Sequence, residues 1–283
     1  MSEIRLENIT YFHGKDTPYE IKALDNVSLS VTEGKITGLI GHTGSGKSTL
    51  VQMFNGLLKP EDGRVLIDGA DIWSKGKDMR KIRFKVGLVM QFPEYQLFAE
   101  TIAKDIAFGP QNMGLSEEEI DERVREAARF AGIDEELLDK SPFDLSGGQK
   151  RRAAIAGIIA MRPDILILDE PAAGLDPKGR DSIFKNIVNY QRECGNTVII
   201  VSHSMEDMAR FCDELVVMAG GKVLLTGTSD RVFSSAELLE GAGLDIPQIS
   251  KLMLELKAGG VEVSDGVYTV DKAFEELMKL YSK

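Results

Sequence analysis

The stretch Gly41-His42-Thr43-Gly44-Ser45-Gly46-Lys47-Ser48 meets the spacing G-x-x-x-x-G-K-[S/T]. Glycines let a backbone wrap closely round a phosphate, because they take dihedrals that a Cβ forbids. The loop's N–H groups then point inward, at the positive end of the helix that follows. Lys47 adds a cation for the β- and γ-phosphates, and Ser48 offers a hydroxyl to Mg²⁺. The nucleotide contacts expected here are Gly41, Thr43, Gly44, Ser45, Gly46, Lys47, Ser48 and Thr49.

A second constellation is acidic. Ile165-Leu166-Ile167-Leu168 runs straight into Asp169-Glu170. Side chains alternate along a strand, but at its end two adjacent acids can reach one mouth. Asp169 can hold Mg²⁺ through water, which leaves Glu170 to orient or deprotonate an attacking water. Leu145-Ser146-Gly147-Gly148-Gln149 opens a helix with a serine and two glycines, which makes another phosphate cradle. A plain Ser N-cap has the same appearance. Two anion sites on separate lobes suggest a nucleotide clamped between two surfaces. Gln91 ends one apolar strand and can reach Mg²⁺ or the attacking water. His203 follows another, a position where histidines are often simply structural.

The elements that must position these groups show in the hydrophobic pattern. Ile4, Leu6 and Ile9, and then residues 23–31, alternate as strands with one buried face. Residues 14–19 carry Gly, Asp, Thr and Pro and form a loop. Residues 35–40 make a strand into the Gly-rich loop, and residues 47–58 the helix out of it. Residues 64–67 and 86–90 are further strands. Ser116 and Glu119 form a capping box before a helix that buries Ile120, Val124, Ala127, Ala128 and Ala131. Another helix covers residues 147–161 and stops at Pro163. The wholly apolar run 165–168 suits a sheet buried on both faces. Residues 181–194 form a helix, 197–201 a strand, and 215–225 a hairpin. Beyond about residue 230 short helices are expected, with a small hairpin over 261–270 and a last helix over 273–281. Strands alternating with helices imply an α/β fold with an antiparallel β portion at the start.

The composition fits one large soluble domain with a small appendage. The chain has 283 residues, 43% of them hydrophobic, and a net charge of -11. That charge argues against a general nucleic-acid binder. The local basic run between Lys75 and Lys85 reads as a solvated face. Only Cys194 and Cys212 are present, which disfavours a disulfide framework or a structural zinc site. Residues 1–7 have no apolar signal-peptide core. No apolar run approaches the ~20 residues that span a bilayer. Work at a membrane therefore requires a partner.

Together these pieces resemble the ATP-binding-cassette (ABC) ATPase family, over about residues 3–230. Residues 41–48 resemble its Walker A, and residues 165–170 its Walker B with the catalytic glutamate. Residues 145–149 resemble its LSGGQ signature, and Gln91 its Q-loop. Ala173-Gly174-Leu175-Asp176 is similar to the D-loop, and His203 to the switch histidine. The resemblance implies a P-loop NTPase core with a mixed sheet and a helical subdomain inserted at about residues 92–164. It also implies a head-to-tail dimer binding ATP and Mg²⁺ at its interface. Ser146 and Gly148 would touch the γ-phosphate held by the other subunit, and Asp176 would couple the two sites. His203 would steady phosphate and water. Mg²⁺ would be held by Ser48, Gln91 and Asp169, with Glu170, His203, Gln91 and Lys47 doing the catalytic work. The family's adenine platform aligns with His13, and Tyr11 stands two residues earlier as the other candidate.

The stretch Gln91-Phe92-Pro93-Glu94-Tyr95-Gln96-Leu97-Phe98 narrows the resemblance, as does Asp105-Ile106-Ala107-Phe108-Gly109-Pro110-Gln111-Asn112-Met113-Gly114. Both are similar to the ATPases of energy-coupling factor transporters. Thr17-Pro18-Tyr19-Glu20 and Asn55-Gly56-Leu57-Leu58 look like the second of their two paired ATPases. This implies an ATPase powering uptake of vitamins or of cobalt or nickel ions at the cytoplasmic face of a bacterial cell membrane. Its partners would be integral membrane subunits and either a second copy or a related ATPase. Residues 231–283 would be an accessory region that helps the ATPases pair. The alternatives are the ATPase of another importer or exporter, or a soluble ATPase of DNA maintenance.

Overall fold

The computed structural model describes residues 3–264 and 266–281. An antiparallel sheet comes first. Strand β1 (Ile4–His13) pairs with β2 (Ile21–Val31) on one side and, on the other, with β4 (Asp62–Ile67), which continues to β5 (Ala70–Asp71). Between β2 and β4 the chain makes β3 (Ile36–Gly41), the Gly-rich loop and helix α1 (Lys47–Phe54). Helix α1 is shorter than expected. Gly56 takes φ +68°, and Leu57 and Leu58 both donate back to the Gln52 carbonyl, which ends the helical path.

Helix α2 (Met79–Lys85) lies on the basic run and buries none of its residues. It leads into β6 (Val86–Val89), after which the chain leaves the sheet for a helical layer. That layer holds α3 (Ile102–Met113), α4 (Glu117–Ala131) and α5 (Gly147–Ile159). Helix α3 goes beyond the expectation of two helices there; it carries Pro110 inside and Gly109 beside it, which blur its sequence signal. The capping box of Ser116 and Glu119 at the head of α4 is present as expected. The chain returns as β7 (Ile165–Asp169), α6 (Pro177–Cys194), β8 (Thr197–Val201), α7 (Met205–Phe211) and the hairpin β9 (Glu214–Ala219) and β10 (Lys222–Thr228). Helix α6 starts earlier than expected because Asp176 caps it and Pro177 fits its first turn.

The second sheet has six strands in the order β10-β9-β3-β8-β7-β6 and is parallel except for the last hairpin. Its inner strands β3, β8 and β7, with β6, are buried at every position because both faces are covered, while the edge strand β10 alternates exposed and half-buried residues. On β7, Leu166 and Leu168 face the helical layer, while Ile165 and Ile167 face the core shared with α1 and the antiparallel sheet. Because β3, β6, β7 and β8 are parallel, their C-terminal ends share one edge, where ligand sites of such sheets form.

The end of the chain adds α8 (Ser229–Phe233), α9 (Ala236–Gly241), α10 (Gln248–Ala258) and α11 (Val270–Tyr281). The hairpin expected over 261–270 is not formed: among the described residues this stretch has no strand, and Val270 already begins α11. Side chains take the bonds that a partner strand would have made. Ser250 Oγ donates to the Val267 carbonyl at 2.9 Å, and the Ser264 N–H donates to Glu276 at 3.1 Å. Val263 and Val267 pack with Met253 and Ala273 in a small separate core.

Candidate functional site

The Gly-rich loop hangs between the end of β3 and the start of α1. Gly46 sits at the helix N-cap with φ +99°, and no side chain caps the helix. The first N–H groups of α1 therefore have no side-chain cap among the described residues, and they open onto the cavity beside them. Ser45 is fully buried beneath the loop. Lys47 Nζ donates to the Gly41 carbonyl at 2.7 Å and to the His42 carbonyl at 3.0 Å. Burial holds the Lys47 ammonium below its ordinary pKa, against the opposing pull of Glu170 and Asp169.

A Cβ on Gly41 would stand 2.5 Å from both the Met218 carbonyl and Ser45 Oγ, so this position needs glycine for space alone. Gly46 needs it twice over, since its Cβ would stand 2.6 Å from the Ala23 carbonyl and its φ is positive. Replacing Gly46 by Ala should cost about 1–2 kcal/mol for the dihedral before any clash is counted. The expected result is a lower melting temperature, with ATP binding weakened by about tenfold in a fluorescent-nucleotide titration.

A cavity of about 350 Å³ joins many of the expected residues, although Gly41, Ser45 and His203 are not among those that line it. Thr43, Gly44, Gly46, Lys47, Ser48 and Thr49 line it together with Gln91, Asp169, Glu170 and His13. Tyr11 does not line it; its ring packs edge-on against His13 with centroids 5.1 Å apart. His13 Nε2 is hydrogen-bonded to Thr49 Oγ1 at 3.0 Å, which ties the end of β1 to the loop helix. Ile21, Lys22 and Ala23 also line the cavity and were not singled out from sequence. They arrive through the pairing of His13 with Ile21, beyond irregularities in the β1–β2 register.

The acids emerge where β7 ends. Asp169 is buried, which raises its pKa, and the neighbouring Glu170 charge raises it further, while the Ser48 hydroxyl and Lys47 oppose the rise. Glu170 takes a left-handed conformation, φ +51°, and its N–H donates to the Val201 carbonyl at 3.0 Å. The turn swings its carboxylate towards His203, whose Nδ1–H donates to Oε1 at 2.9 Å. Ser48, Gln91 and Asp169 offer a hydroxyl, an amide and a carboxylate at one cavity. Oxygen donors of this kind suit Mg²⁺, which takes few protein ligands and completes its shell with phosphates and water. A dication would also relieve the crowding of two adjacent acids there.

Ser146, Gly148 and Asp176 do not line this cavity. Ser146 caps α5 in a capping box with Gln149, on the helical layer. A Cβ on Gly147 would meet nothing within 4 Å, and one on Gly148 would meet only Leu175 at 3.8 Å. Neither glycine is demanded by packing inside the chain. Asp176 is occupied as the α6 cap, accepting from the Gly179 N–H at 2.6 Å.

Comparison with known proteins identifies the family of the chain. A family profile described as "ABC transporter" matches residues 24–173. The energy-coupling factor transporter ATP-binding protein EcfA2 of Clostridium tetani is 53% identical over 280 residues, covering 99% of this chain and 97% of that protein. Among solved structures, cbiO1 from Clostridium perfringens, part of the ABC transporter complex cbiONQ, is 41% identical with a TM-score of 0.76. The match covers 89% of this chain and 98% of cbiO1. The ATP-binding cassette MJ0796, solved as a dimer in a post-hydrolysis state with ADP and Pi, is 31% identical with a TM-score of 0.71. It covers 80% of this chain and 98% of that one.

Proposed function

The chain belongs to the ABC transporter family, and from that premise we propose that it is the ATP-hydrolysing subunit of an energy-coupling factor transporter. It powers uptake of vitamins or of cobalt or nickel ions through integral membrane partners. The observation that carries this reading is the divided site. One cavity gathers the phosphate loop, Gln91, Asp169 and Glu170, while the open face at Ser146 and Gly148 lies outside it. A second ATPase, identical or related, supplies that missing face to the nucleotide.

In this reading the loop N–H groups and Lys47 bind the β- and γ-phosphates, and His13 stacks on the adenine. Ser48, Gln91 and Asp169 would hold Mg²⁺, and the bound ion would neutralise developing phosphate charge. Glu170 takes the proton of the water that attacks the γ-phosphorus, and Gln91 orients that water. His203 steadies the Glu170 carboxylate and the phosphate. Asp176, at the end of the loop that follows Glu170, meets its counterpart across the dimer.

The membrane partner needs its own seat. A groove of about 370 Å³ beside the helical layer is lined by Phe84, Leu97, Phe98 and Phe108. Phe98 and Phe108 pack edge to face at 5.0 Å yet remain largely exposed. Asp105 fixes the groove floor by accepting the N–H groups of Phe98 and Ala99, both at 3.1 Å. Such a groove accepts the apolar face of a helix. Among the described residues no helix is long and apolar enough to cross a membrane, so the subunit sits at the cytoplasmic face of the bacterial membrane by this docking. Residues 231–283 help the ATPases pair, with Phe274 of α11 exposed for the purpose.

Purification of the tagged chain from native membranes tests the assignment. The expected result is co-elution of integral membrane subunits identified by mass, and their loss with Phe108→Asp while ATP affinity is kept. Recovery with DNA or soluble proteins alone would reject the reading.

A further inference from the structure

Arg151 belongs to none of the groups that hold the nucleotide, yet only 3% of it is exposed. A guanidinium buried this deeply survives only with well-formed partners. Its Nε donates to Glu94 Oε2 at 3.0 Å and its Nη2 to Oε1 at 2.6 Å, a two-pronged contact. Nη1 donates to the Ala173 carbonyl. The Phe92 ring centroid lies 5.8 Å from the guanidinium carbon. Burial alone would raise the Glu94 pKa, but Arg151 overcomes it and holds the carboxyl below its ordinary range, so the pair is ionic.

These contacts join three stretches that are distant in sequence. Glu94 stands on the 3-10 turn Pro93–Gln96, just beyond Gln91. Gln96 of that turn and the adjoining Leu97 line the partner groove. Arg151 lies on α5, directly behind the Ser146 cap. Ala173 lies in the loop after β7, and its own N–H donates to the Glu170 carbonyl at 3.2 Å. One side chain therefore bridges the groove wall, the helix bearing Ser146 and Gly148, and the loop tied to Glu170.

From this geometry we infer that Arg151, held by Glu94, is a positioning residue that couples the groove wall to Glu170, so that occupancy of the groove sets the rate of hydrolysis. The planar fork makes the link directional. A shift of the 3-10 turn turns the guanidinium as a unit, and Nη1 carries the Ala173 loop with it. A lysine keeps the charge but cannot hold two carboxylate oxygens and a carbonyl in one plane. The inference rests on the groove receiving a membrane partner.

The test uses the complete complex with that partner, and compares the wild type with Glu94→Gln and Arg151→Lys. The expected result is an ATP Kd within about twofold of wild type in both variants. The ratio of partner-bound to partner-free kcat should fall by about tenfold. Losing the charge partner of a buried guanidinium lowers melting temperature on either reading, but a plain structural strut would lower ATP affinity and both turnover rates together with their ratio unchanged, and that outcome would overturn the inference. If Arg151→Lys fails to fold, Glu94→Gln decides alone, because it removes charge without changing volume. A stimulated wild type with equally stimulated variants overturns this inference only. A wild type that the partner does not stimulate overturns the groove assignment along with it.

Discussion

Replacing Glu170 by Gln is expected to leave ATP affinity within about twofold of wild type and to lower turnover by ~10²–10⁴. Gln has the size of Glu and keeps an oxygen that can accept the His203 Nδ1–H bond now made at 2.9 Å. The backbone is undisturbed, since the left-handed turn is held by the bond from the Glu170 N–H to Val201. Only the ability to take a proton is lost. The phosphate loop, Lys47 and Asp169 are untouched, so nucleotide still binds and the closed dimer should accumulate. Single-turnover hydrolysis, read beside equilibrium binding, checks this. Hydrolysis at the wild-type rate would remove Glu170 from the proton-accepting role.

Replacing Gly148 by Asp should be as damaging to turnover and harmless to the isolated chain. The position has room: among the described residues an added Cβ would meet Leu175 at 3.8 Å and nothing nearer. An Asp near the start of α5 even suits the helix dipole. Melting temperature and ATP binding to the separate subunit are therefore expected to stay put. The new carboxylate would face the γ-phosphate bound by the other subunit, in the place where the open helix end should stabilise charge. Loss of that stabilisation, with repulsion added, should lower turnover by ~10²–10³. The decisive measurement mixes this variant with Glu170→Gln. Each mixed dimer holds one site with both lesions and one with neither, so partial hydrolysis should return. A Gly148→Asp protein that hydrolyses ATP normally would place the second half of the site elsewhere.

The chemistry of the site was legible because its parts are short and continuous in sequence. The phosphate loop needs consecutive residues, and the buried strand Ile165–Asp169 announces itself by being apolar on both faces. Other parts depend on distant contacts. Ile21 reaches the cavity only through the irregular β1–β2 register. Arg151 sits in a run of cations that resembles a solvated face, and the Glu94 carboxylate and Ala173 carbonyl, brought to it from other loops, make its burial tolerable. Val261, Val263 and Val267 fall at strand spacing, but Ser250 and Glu276 claim the backbone groups first. Helix α3 was obscured by Pro110, whose lost donor is tolerated near the helix end.

The paired ladders of β3, β8 and β7 have a mechanical consequence. Ile36 to Leu39 align with Val198 to Val201, and Ile165 to Asp169 with Thr197 to Val201. Buried on both sides, these strands cannot slip by one residue without sending every side chain to the opposite face. The separation between phosphate loop and carboxylates is thus fixed as if by a rigid gauge block. Force raised at the nucleotide cannot be absorbed by stretching that block. It must leave through the parts hung from its edge, and the protein acts as a stiff lever with compliant ends.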